Sequence, residues 1–269
     1  MSYQPIIVGS GLAGWRFLNA TLQAQKGAFD SSGQITRRTS YFSEKIREIR
    51  SAEGLVSDRG LRSVALEAYG LDQDLENRFF IQKILESDLT DSGSLANRLA
   101  DDRYKKFAAA FGFAQPLGSG VRQPVSVGSI LSRFRAHAFE TAVGEQSPAL
   151  RLALHAERTL PELTAEGSSE NATWFRIMGT PPLRTVFETA FGLPKAFGQL
   201  DLDRQLATFR DRSEKTFGSS DPAKLAEPAT LGRLIDRFLL RDQMSDLSAA
   251  RPAQIALSLL KAAPKPARL

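Results

Sequence analysis

The sequence predicts an all-α fold: a duplicated, pseudo-symmetric helical body behind a flexible N-terminal segment. Three observations lead there. Apolar residues recur at helical spacing through most of the 269 residues. Glycines and prolines fall where such stretches stop and start, not between alternating strands. And one eleven-residue segment occurs twice. Leu61-Arg62-Ser63-Val64-Ala65-Leu66-Glu67-Ala68-Tyr69-Gly70-Leu71 returns 122 residues later as Leu183-Arg184-Thr185-Val186-Phe187-Glu188-Thr189-Ala190-Phe191-Gly192-Leu193, identical at six positions. Its physical content is a helix with an apolar stripe and a glycine stop. Two copies are too few for a solenoid, so a two-lobed or pseudo-symmetric body is expected.

In chain order, residues 1–34 are read as the flexible segment, 35–114 as the first helical repeat, 115–127 as a linker, 128–245 as the second repeat, and 246–269 as a C-terminal helix with a frayed tail. Around 36–50, Ile35, Tyr41, Phe42, Ile46 and Ile49 share a face. Asp58 is placed to cap a helix carrying Leu61, Val64, Ala65 and Ala68, which Gly70 ends. Residues 73–86 present Leu75, Phe79, Phe80, Ile84 and Leu85. Asp101 or Asp102 caps the next helix, with Tyr104, Phe107, Ala108 and Phe111 inward and Gly112 as its stop. The linker stretch holds Pro116, Gly118, Gly120 and Pro124. Helices resume over about 128–143 and 148–166. Thr180-Pro181-Pro182 starts another, with threonine as cap and proline where its missing N–H does no harm. Asp201 or Asp203 begins the helix of Leu206, Phe209 and Phe217. Leu231 to Leu240 is amphipathic, and Pro264 and Pro266 fray the tail.

Composition narrows function. Cysteine is absent, so disulfides, thiolate metal sites and cysteine nucleophiles are excluded. No apolar run is long enough to span a membrane. No standard secretory signal is visible, which leaves the cytoplasm as the default location. Net charge is +5, and acids are interspersed among the basic clusters Arg37-Arg38, Arg133-Phe134-Arg135 and Arg210 to Arg212. Solvated helix faces account for these better than a nucleic-acid stripe does. His137 and His155 stand apart without acidic companions, so no metal is expected. Asp88, Asp91, Asp101 and Asp102 read as helix starts.

One motif invites a specific chemistry. Ile6-Ile7-Val8-Gly9-Ser10-Gly11-Leu12-Ala13-Gly14 is formally a dinucleotide-binding loop. Such a loop needs a buried strand before it and a sheet beside it. Here three apolar residues follow Pro5, and Asp30 downstream has no strand leading to it. The loop is therefore read as a glycine-containing segment entering a helix near Leu12, with no cofactor. The apolar residues that follow, Leu12, Trp15, Phe17, Leu18 and Leu22, form a candidate partner-binding surface or pack on the chain's own body.

Several stretches, taken in order, carry a resemblance: Gly11-Leu12-Ala13-Gly14-Trp15-Arg16-Phe17-Leu18, the Asp58 to Leu71 helix, Leu99-Ala100-Asp101-Asp102-Arg103-Tyr104-Lys105-Lys106-Phe107, Ala149-Leu150-Arg151-Leu152-Ala153-Leu154, and Phe191-Gly192-Leu193-Pro194. Together they resemble a family of alphaproteobacterial proteins of uncharacterised function encoded in flagellar gene clusters, over roughly residues 11–240. The order and spacing carry the resemblance; no single motif does. It implies a flagellar setting and a helical structural, assembly or regulatory role, with other flagellar proteins as partners, and it supplies no catalytic residues. The expectation is a non-enzymatic protein acting by protein–protein contact, with neither small-molecule ligand nor nucleic acid as partner. The alternatives are an FAD- or NAD-dependent oxidoreductase using Gly9, Gly11 and Gly14, and a basic nucleic-acid-binding regulator.

Overall fold

The computed structural model describes residues 3–99, 101–114 and 125–262, and among these there is helix and no strand. The fold is all-α. Its helices are α1 (Gly11–Asp30), α2 (Gly33–Lys45), α3 (Ala52–Ser57), α4 (Arg59–Glu67), α5 (Arg78–Leu85), α6 (Leu95–Arg98), α7 (Asp102–Phe111), α8 (Val127–Gly144), α9 (Pro148–Thr164), α10 (Glu170–Gly179), α11 (Pro181–Phe191), α12 (Leu202–Phe217), α13 (Pro222–Leu225) and α14 (Pro228–Ala262). The expected linker lies almost wholly outside the described residues, as do the last residues of the expected frayed tail.

The chain divides into two compact units. Unit 1 comprises Met1–Val8 and Phe17–Arg151; unit 2 comprises Gly9–Arg16 and Leu152–Leu269. The helix expected over 128–143 thus falls in unit 1 as α8, and not with the second repeat. The helix expected to begin near Leu12, within the flexible segment 1–34, is α1, and its inner face is fixed in the core. The reason is a stripe that the polar residues between its members conceal: Trp15, Leu18, Gln25 and Phe29 are all buried. These positions share one helix face.

Unit 1 is organised around α4. Its buried residues, Leu61, Val64, Ala65 and Leu66, lie against α2, α3 and α8. Asp58 caps α4, its Oδ1 accepting from the amide of Leu61 at 2.9 Å. Aromatic edges fill the adjacent space: Phe107 meets Tyr69 at 5.6 Å and Phe111 at 5.2 Å between ring centroids. Phe79 is a correction. It lies 72% exposed, with the Lys83 ammonium 5.5 Å from its ring centre, because Ile81, Ile84 and Leu85 form the inward face of α5.

Unit 2 has α11 at its centre, packed on α10, α12 and α14. Phe209 of α12 is its aromatic hub, within 6.3 Å of the ring centres of Trp174, Phe187, Phe191 and Phe197. The Trp174 indole N–H donates to the Ser220 carbonyl at 2.8 Å, so its burial leaves no donor unmet. Proline opens α11 as expected, but Thr180 does not cap it: its hydroxyl donates backward to the Arg176 carbonyl at 2.8 Å. Asp201 likewise makes no side-chain cap on α12. Asp88 and Asp91 hold turns and not helix starts, accepting from the amides of Thr90 and Gly93 at 2.8 Å.

Phe209→Ala should lower unfolding free energy by about 3–5 kcal/mol, since a fully buried ring at the centre of the cluster leaves a cavity. Phe79→Ala should change it by no more than about 0.5 kcal/mol. Urea denaturation of the two variants checks both.

Candidate functional site

The glycine loop sits in an arrangement unlike a nucleotide site. Residues 3–8 are neither helix nor strand, and they bond to side chains and not to a sheet. The Ile6 amide donates to Gln25 Oε1 at 2.7 Å, and Gln25 Nε2 donates back to the Ile6 carbonyl at 2.9 Å. Gln146 Nε2 donates to the Pro5 carbonyl at 2.6 Å. Gly9 and Gly11, at φ 84° and 53°, then turn the chain into α1. L-residues rarely adopt such values, which is why glycine stands there. No strand precedes the loop among the described residues, so it lacks the frame on which a pyrophosphate would rest.

The five residues expected to meet a partner are split by this geometry. Trp15 and Leu18 are buried, 4% and 0% exposed. Leu12, Phe17 and Leu22 are half-buried. They do not form one free apolar face.

The repeated segment shows its purpose in the chain's local bonding. In unit 1 the Leu71 amide donates to the Leu66 carbonyl at 2.9 Å and the Gly70 amide to Glu67 at 3.1 Å. In unit 2, Leu193 donates to Glu188 at 2.9 Å and Gly192 to Thr189 at 3.0 Å. This is the same six-to-one and five-to-two closure of a helix end, with Gly70 at φ 68° and Gly192 at φ 67°. The arginine second in each segment then ties down the loop that follows. Arg62 Nε donates to the Leu75 carbonyl at 2.9 Å, and its Nη1 donates to Val56. Arg184 donates to Gln205 Oε1 at 2.7 Å, and Gln205 donates to the Leu200 carbonyl at 2.6 Å.

A second correspondence escaped the sequence reading. The helices packed on α4 and α11 also match. Gly128, Ile130, Arg133 and Phe134 of α8 correspond to Gly232, Leu234, Arg237 and Phe238 of α14. Ile130, Phe134, Leu234 and Phe238 are all buried. Arg133 lies over the Tyr69 ring, 5.8 Å from its centre, and Arg237 Nε donates to the Ala190 carbonyl at 2.8 Å. Both arginines therefore act at a helix end whose carbonyls or aromatic face attract a cation. The spacing between the paired helices differs in the two halves, which is why a single offset does not reveal the match.

Charged groups are engaged locally. Arg38 pairs with Glu67 and Ser63 while its guanidinium lies 4.5 Å from the centre of the Phe134 ring. Burial nonetheless raises the Glu67 pKa above the ordinary carboxylate value, and the attraction of Arg38 opposes that rise. Arg210 reaches Asn171 at 2.9 Å and Glu170 at 3.5 Å. Tyr104 donates to Asp74 at 2.7 Å; burial and that bond push its hydroxyl up to about 12. Among the described residues no group of three or more His, Asp or Glu is placed to hold a metal ion. None of their helices is long and apolar enough to cross a membrane.

A family described as "Protein of unknown function (DUF1217)" matches residues 68–230, from the first glycine stop to the start of α14. The chain belongs to that family. Its fold is shared with the X-ray crystal structure of protein AGR_C_984 from Agrobacterium tumefaciens. That structure matches at 25% identity and a TM-score of 0.71, covering 91% of this chain and 98% of the other. No curated protein matches the chain.

Gly218, at φ 78°, has nothing within 4 Å of where a Cβ would stand, whereas a Cβ on Gly192 would strike the Arg241 guanidinium. Gly218→Ala should cost about 1–2 kcal/mol through backbone strain alone. Gly192→Ala should cost more, by urea denaturation, because Arg241 must also move. For Asp58, burial raises the pKa, but the Tyr41 hydroxyl and the backbone amides it accepts outweigh burial and the net value is lowered. Its carboxylate therefore stabilises the fold fully above the unfolded value of about 3.9, and the benefit is lost as pH falls through the depressed folded value. Asp58→Ala should cost about 1 kcal/mol at neutral pH, and the difference from the parent chain should close below that value when thermal stability is followed against pH.

Proposed function

We propose that this chain is a non-enzymatic helical protein that helps build or regulate the flagellum through protein–protein contacts. The flagellar setting rests on the ordered motifs of the sequence, from Gly11-Leu12-Ala13-Gly14-Trp15 to Phe191-Gly192-Leu193-Pro194. The contact role rests on apolar side chains that the fold leaves in water. One pair carries it: Leu240 and Met244, one turn apart on α14, are 47% and 68% exposed. Exposed aliphatic residues that share a helix face favour burial against another surface. Leu200 and Leu202, flanking the start of α12, add a second such site in the same unit.

Replacing Leu240 and Met244 together by serine should leave the melting temperature of the purified protein within about 2 °C. In motile cells the same double variant should reduce swimming and deplete the protein from flagellar basal-body fractions. Normal swimming in cells that lack the protein entirely would remove the flagellar reading.

A further inference from the structure

Every contact that holds residues 3–8 is one that an extended peptide could make from another molecule. Burial alternates along the arm with the period of an extended chain: Pro5 is buried and Tyr3 and Ile7 are half-buried, while Gln4, Ile6 and Val8 are exposed. The groove beneath them is built within unit 1. Gln25, itself 5% exposed, grips both main-chain groups of Ile6 and braces its amide on the Thr21 hydroxyl at 2.7 Å. Gln146 holds the Pro5 carbonyl. The Tyr3 ring meets the edge of Phe29 at 6.4 Å, and Phe29 meets Phe139 at 5.5 Å. The arm covers the Gln25 amide, and the two bonds to Ile6 with the brace on Thr21 fix how the groove receives a main chain.

The outward residues are left unsatisfied. Ile6 and Val8 are exposed by 57% and 56%, on one face of the arm and beside the point where Gly9 reverses the chain. We propose that the arm is exchangeable: residues 3–8 of one copy seat in the same groove of a second copy when the Gly9 reversal opens. The groove of Gln25 and Gln146 is then a self-association site. Exchange keeps every contact just described and changes only the hinge, which makes it a low-cost route to a symmetric dimer. It also gives the exposed pair a role. The two hinges of an exchanged dimer lie at its twofold axis, where Ile6 and Val8 of one copy meet those of the other.

Equilibrium sedimentation of the full chain tests this. A Cβ at Gly9 would meet nothing nearer than Ala13 Cβ at 3.5 Å, so substitution there acts on φ alone. Gly9→Ala should tighten dimerisation about tenfold or more, and Gly9→Val further, because each copy sheds a left-handed L-residue on opening. Adding Gln25→Ala should cancel the gain, with circular dichroism checking that the chain stays folded. Ile6→Ser with Val8→Ser, which leaves the groove intact, should weaken the Gly9→Val dimer without lowering its helicity. A peptide of residues 1–10 in excess should dissolve that dimer. A Gly9→Val chain that stays monomeric overturns the proposal, even if it captures an unrelated proline-aliphatic peptide. So does a dimer indifferent to Gln25→Ala or to the peptide.

Discussion

The hydrogen bond from the Leu71 amide back to the Leu66 carbonyl closes α4 by turning the chain through a left-handed glycine; its counterpart from Leu193 to Glu188 closes α11. Much of each unit's local order follows from that closure. It sets where the next segment leaves, and Arg62 or Arg184 then secures the departing loop, directly or through Gln205. It also leaves room above the glycine for a basic side chain from the packing helix, His137 or Arg241. A side chain on the glycine would disturb the helix end and the helix packed over it together. This couples a local backbone requirement to tertiary packing.

The helical architecture was legible because its signals are local. Apolar spacing marks α4, α7, α8 and α12, and glycines at 70, 112 and 192 take the left-handed stop that their positions suggest. What stayed hidden depends on distance. The buried face of α1 includes Gln25, a polar residue whose place in the core makes sense only once Ile6 is seen beside it. Threonine at 180 has the right chemistry for a cap, yet the Arg176 carbonyl competes for its hydroxyl and wins. Phe79 belongs to an apolar run, but only three side chains of α5 can face inward. The arginine in the middle of α4 reads as a solvent residue until its two carbonyl partners are known.

The glycine-rich opening illustrates how a motif can share letters with a site and none of its mechanics. A nucleotide loop uses glycine so that a phosphate can approach the backbone at the edge of a sheet. Here the same residues let an extended segment double back along a helix, and the first of them also sets the hinge of the arm. The candidate partner surface shifts accordingly. Trp15 and Leu18 stabilise α1 from within, while the apolar groups open to solvent are found on the arm and on α14.

Gln25 meets Ile6 through amide and carbonyl alone, and Gln146 meets Pro5 through a carbonyl. Groups common to nearly every residue are thus much of what the groove reads, beside the Tyr3 ring and the buried Pro5. The Gln4 side chain is consequently free to drift among descendants of this gene, whereas a change at Ile6 or Val8 leaves the anchoring intact and alters what the outer face of the arm can meet.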